Sequence, residues 1–109
     1  MPKVNRGQER TLKLPLYRVT VVCRGLTAPQ LVEAVPDMLL EFAERPWQTD
    51  VRCEANDGVL RLSALNDFDN DGLALLDEFQ DAVVAYANVN DRVSFDVESV
   101  SIQNDPVDS

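Results

Sequence analysis

Asp57-Gly58 stands inside an alternating apolar run over residues 49–65, and this feature constrains the chain more than any other. Asp-Gly favours a two-residue hairpin turn because both central positions must take positive φ. Such a turn pairs Asn56 with Val59. Ala55 then faces Leu60, Cys53 faces Leu62 and Val51 faces Ala64, all on one side. Glu54 faces Arg61 on the other side, an opposite-charge pair. A slip of one residue sets Cys53 against Arg61 and mixes the two faces, so the register is specified.

The remaining elements fall around this hairpin. Residues 16–24 alternate, with Tyr17, Val19, Val21 and Cys23 on one face and Arg18, Thr20, Val22 and Arg24 on the other, which predicts a first strand. Thr27 and Gln30 have capping-box spacing, and Pro29 suits a first helical turn. The predicted helix runs to about Arg45, with a buried stripe of Leu31, Val35, Met38, Leu39 and Phe42. Pro36 removes one N–H, so a kink near Val32–Pro36 or two short helices is expected. Residues 72–88 predict a second helix, with Leu75, Leu76, Phe79, Ala82, Val83 and Tyr86 inward. Residues 92–98 predict a last strand, with Val93, Phe95 and Val97 inward. The alternation slips at Ser99, as at a bulge before Val100 and Ile102.

The order β-α-β-β-α-β, with right-handed crossovers, predicts an α+β ferredoxin-like sandwich: a four-stranded antiparallel sheet with both helices on one face. The strand order is then 4-1-3-2. Residues 1–11 are expected to form a flexible basic arm, 12–103 a single domain and 104–109 a flexible acidic tail. Cys23 and Cys53 would sit two strands apart, ~10 Å, beyond the ~7 Å a disulfide spans. Buried free thiols are expected.

Composition narrows the function. The 109 residues suffice for one core, and 45% are hydrophobic, which suits a globular chain. No apolar run approaches the ~20 residues that span a bilayer. The polar start lacks the apolar stretch of a secretory signal, so a cytoplasmic protein is expected. The formal net charge of −9 disfavours nucleic acid and anionic membranes. Histidine is absent, so neither a Ser-His-Asp nor a Cys-His site can be built. With no activated nucleophile or placed carboxylate pair, the chain is read as non-enzymatic.

Asp67-Phe68-Asp69-Asn70-Asp71-Gly72 is followed by Glu78 at the twelfth place. This segment resembles the calcium loop of the EF-hand family. The resemblance implies calcium held by Asp67, Asp69 and Asp71, the Leu73 carbonyl and both oxygens of Glu78. The sequence departs from that family in three ways. A strand precedes the loop in place of an entering helix, Ala74 holds the eighth place and Leu75 the ninth. The alternative is an acidic helix start, where carboxylates meet unpaired backbone N–H groups and Asn70 or Asp71 serves as N-cap.

The acidic residues also form a pattern. Glu33, Asp37, Glu41 and Glu44 share one stripe of the first helix, and like charges at i, i+4 cost about 0.2–0.5 kcal/mol per pair. Asp77, Glu78 and Asp81 lie on the outer side of the second. Local rules broken without compensation often mark function. The expected function is a small acidic protein-binding module, an inhibitor or immunity-like factor, engaging a basic protein partner through these carboxylates. A calcium-binding module is the alternative. The open sheet face carries Arg18, Arg24, Arg52 and Arg61 with Glu54, Asp96 and Glu98. This mixture suits solvent or a second copy in a homodimer, and it offers no aromatic platform for RNA bases.

Overall fold

A computed structural model describes residues 15–103. The arm expected at 1–11 and the tail at 104–109 lie outside the described residues. The elements are β1 (Leu16–Arg24), α1 (Ala28–Phe42), β2 (Thr49–Asn56), β3 (Val59–Asn66), α2 (Leu73–Tyr86) and β4 (Ser94–Gln103). The sheet order is β2-β3-β1-β4, fully antiparallel. Read from the other end, this is the expected 4-1-3-2. The fold is the ferredoxin-like α+β sandwich.

Local chemistry sets the element boundaries. Asp57 and Gly58 take φ of 55° and 77°, as the mirror-image hairpin turn requires. Asn56–Val59, Ala55–Leu60, Glu54–Arg61 and Cys53–Leu62 pair as expected. The expected Val51–Ala64 pair does not form. Arg52 pairs with Ser63 but Thr49 with Leu65, so an extra β2 residue lies opposite Ala64. Asp50 takes φ of 47° in this bulge. Arg18 holds it from β1, reaching over β3 to donate to the Asp50 carbonyl at 3.0 Å and to its carboxylate. A second bulge falls in β4, where Thr20 pairs with Ser99 but Val21 with Val97. This matches the slip in alternation before Val100.

Helix α1 starts on the expected box. Thr27 Oγ1 accepts the Gln30 N–H at 3.2 Å, and Gln30 Oε1 accepts the Thr27 N–H at 2.9 Å. A cap of this kind contributes about 1 kcal/mol. The helix passes through Pro36 as one element and ends at Phe42, short of Arg45. It tolerates the proline because Val32, whose carbonyl loses its partner, is 73% exposed and solvent can serve it. Leu39 is exposed, and Ala34 joins the core in its place beside Met38 and Phe42. Tyr86 likewise is not inward: the residue is 55% exposed at the end of α2. Leu39 lies at the margin of its apolar arc, whereas Tyr86 falls within the arc of α2 but is the last residue of the helix, where its hydroxyl reaches Glu41.

The core lies between the sheet and both helices. Val19, Val21 and Cys23 from β1 and Leu60, Leu62 and Ala64 from β3 are fully buried beneath Met38, Phe42, Leu75 and Phe79. Phe79 meets Phe95 edge to face at 5.9 Å, a favoured aromatic geometry. Cys23 and Cys53 are free, with β3 between their strands.

Candidate functional site

The 66–78 segment is built as a helix start. Asn66 Oδ1 accepts the N–H groups of Phe68 and Asp69 at 3.1 and 2.8 Å, which turns the chain after β3. Asp69 is buried, and its two oxygens accept the N–H groups of Ala74 and Leu75 at 3.0 and 2.9 Å. Asp71 Oδ1 accepts the Leu73 N–H at 3.0 Å. The first N–H groups of α2, which no helical carbonyl can reach, are thereby satisfied by carboxylates. Gly72 is the N-cap at φ 81°, and a Cβ there would come within 2.7 Å of Val97 Cγ1. Gly72, Asp69 and Asp71 of the calcium-like pattern thus act in the β3-to-α2 connection.

Asp67 is exposed beside this turn, as is Leu73. Glu78 points elsewhere. Its carboxylate accepts the Trp47 indole N–H at 3.0 Å and the Gln48 amide at 3.4 Å, and Arg45 Nε lies 3.3 Å away. Among the described residues, no group of three or more Cys, Asp or Glu gathers where a metal ion could be held.

Of the acidic residues on the two helices, Glu41 and Glu78 are brought together. Arg45 crosslinks them. It donates to the Glu41 carbonyl at 2.8 Å and the Glu41 carboxylate at 3.2 Å, pairs with Glu78, and lies over the Phe42 ring at 4.7 Å. The Tyr86 hydroxyl donates to the other Glu41 oxygen at 2.9 Å. That bond, then Arg45, holds the Glu41 carboxyl below its ordinary range. Tyr86 is pushed up, first by its bond to Glu41, with the charges of Asp37 and Glu44 adding to it. Glu33, Asp37, Glu44, Asp77 and Asp81 have no ion pair among the described residues.

A groove of about 180 Å³ opens between α1 and α2. Glu33 and Asp37 line it from α1, and Tyr86 and Asn88 close the far side. Ala34, Met38 and Val83 lie beneath it, almost fully buried. Gln30 donates to the Asn88 carbonyl at 3.1 Å, tying the start of α1 to the chain leaving α2. The sequence reading missed Gln30, Tyr86, Asn88 and Arg45 here. Of these, only Arg45 carried a signal, standing four residues after Glu41.

The open sheet face contrasts with this one. Arg61 reaches from β3 across β1 to hold Glu98 with two hydrogen bonds of 2.7 and 2.8 Å, and Glu54 lies 3.7 Å from it. Val22, paired with Arg61 on this side, is buried. Arg24 pairs with Asp96, and Arg18 and Arg52 with Asp50. Charge on this face is matched locally, whereas on the helices Glu33, Asp37, Asp77 and Asp81 carry negative charge with no ion pair among the described residues.

Among the described residues, no helix is long and apolar enough to cross a membrane. Comparison with protein-family models, with curated proteins and with solved structures found no match to this chain.

Proposed function

We propose that this chain is a non-enzymatic binding module that engages a basic protein, as an inhibitor or immunity-like factor does, through the acidic face of α1 and α2. The observation that carries this reading is the inter-helix groove, acidic at Glu33 and Asp37, floored by the nearly buried Ala34, Met38 and Val83 and flanked by the exposed Tyr86. A lysine or arginine side chain has the complementary character, an aliphatic stem with a charged head. At about 180 Å³ the groove suits one such side chain, since drug-sized ligands fill clefts of about 300–1,000 Å³. Glu44, Asp77 and Asp81 extend the negative field around it and favour steered association. Glu41 and Glu78 act indirectly, because Arg45 and Tyr86 hold them in place.

The test is capture from cell extract at low and high salt, comparing the native chain with Glu33→Lys/Asp37→Lys. A basic protein retained at low salt, released by high salt and lost with the double variant supports the proposal. Equal capture by both chains, or none by either, refutes it.

A further inference from the structure

Helix α1 has a third face that neither the core nor the acidic groove uses. Val32, Pro36, Leu39, Leu40 and Ala43 recur at helical spacing, and all are exposed. Val32 and Leu40 are 73% and 70% accessible. The opposite flank of α1 meets α2 through Glu41 and Tyr86, so Val32, Leu39 and Ala43 look outward beyond the sheet, while Pro36 and Leu40, opposite the buried Met38, stand above them. Below this flank lies β2, an edge strand, and α1 packs over β2 and β3. The apolar flank and the backbone of β2, which pairs with no further strand among the described residues, therefore form one continuous surface.

The edge itself is self-complementary. In an antiparallel ladder, successive residues turn their N–H and C=O alternately to one neighbour and the other. The two-residue turn directs Asn56, Glu54 and Arg52 to β3, which leaves Cys53 and Ala55 facing the open edge. Edge strands are commonly guarded by charges that repel a second copy. Here the exposed charges flanking Cys53 are of opposite sign, Arg52 and Glu54. A two-fold axis at Cys53 sets Arg52 of each chain against Glu54 of the other. Both side chains are solvent-accessible, at 70% and 63%; Arg52 holds Asp50 at 2.8 Å and Glu54 lies 3.7 Å from Arg61, so the partner's charge would be a second partner to each. The other edge, β4, carries Asp96 and Glu98, and two copies of it would repel.

We propose that the chain self-associates as a two-fold dimer, β2 against β2 and the apolar flank of α1 against its mate. The layers fit. Strands pair at ~4.8 Å, so helices seated between β2 and β3 on each side stand roughly 10 Å apart. Packed helices lie about 8–10 Å apart. The result is an eight-stranded sheet with both acidic grooves on one side, each on the flank of α1 away from the axis.

Sedimentation equilibrium of the full chain, up to roughly 1 mM, the weak end of specific affinity, tests this. The native chain is expected to dimerise. Arg52→Glu alone and Glu54→Arg alone should each weaken the dimer by about tenfold or more, because like charges meet twice across the axis. An equimolar mixture of the two variants restores both ion pairs and should dimerise again, which loss of folding cannot mimic. Asp96→Lys on β4 should leave association unchanged. A native chain that stays monomeric throughout, or a dimer indifferent to both single variants or not restored by mixing them, would overturn the proposal.

Discussion

Glu78 Oε2 accepts the indole N–H of Trp47 at 3.0 Å. This one bond decides how two sequence patterns meet, because Glu78 belongs both to the calcium-like spacing and to the acidic stripe of α2. With Gln48 and Arg45 also on it, the carboxylate anchors the segment between α1 and β2 to α2. Glu78→Ala strips these partners from a half-buried site and should cost about 1–2 kcal/mol. Urea unfolding measures this, and an unchanged midpoint with unchanged slope would count against the anchoring role.

Asp69 and Asp71 separate capping from metal binding. Asp69→Ala removes two N–H acceptors at the buried start of α2 and should destabilise by about 2 kcal/mol. Asp71→Ala, exposed and with one bond, should cost less than half of that. Titration with calcium, followed by calorimetry and melting temperature, should give neither heat nor a shift. Stabilisation by calcium that is lost in Asp71→Ala would restore the metal reading.

The hairpin and the element order were legible because strand periodicity, the Asp57-Gly58 turn and the Thr27–Gln30 box each act over a few neighbouring residues. The β4 bulge was legible too, since Ser99 breaks the alternation. The β2 bulge was not, because Arg18 holds Asp50 from 32 residues away. The acidic stripes could be drawn on a helical wheel. Which acids remain uncommitted could not, since Arg45, Trp47, Gln48 and Tyr86 converge on Glu41 and Glu78 only in three dimensions.

Acid should weaken the fold through three carboxyls. Glu41 lies below its ordinary 4.5 chiefly through the Tyr86 hydroxyl, Asp50 below 3.8 through Arg18, and Glu98 below 4.5 through Arg61. Depressed folded values mean that their stabilisation is complete above the unfolded values and lost as pH falls through the folded ones. The decline should therefore begin below about pH 4.5. Tyr86 has the opposite sign. Raised from 10.0 by its bond to Glu41, it stabilises below that value and the effect is lost as pH rises through its folded value. Melting temperature against pH should show both limbs. Tyr86→Phe should shrink the alkaline limb and raise the Glu41 titration seen by carbon-detected NMR.

Both thiols should be unreactive in the native state. Burial pushes Cys23 up to about 11, and burial, with the Glu54 charge beside it, pushes Cys53 up to about 12. Thiolate is the reactive form. A thiol-reactive chromophore at neutral pH should label both cysteines slowly until denaturant is added. A Cys23–Cys53 disulfide in the folded protein would contradict the strand order.

The central claim places a basic side chain in the groove between α1 and α2, and amide NMR tests it most directly. A peptide rich in lysine and arginine should shift Gln30, Glu33, Asp37, Tyr86 and Asn88 in a saturable, salt-sensitive way, and Glu33→Lys/Asp37→Lys should abolish those shifts. Saturable shifts confined to the open sheet face, or none at low salt, would contradict it.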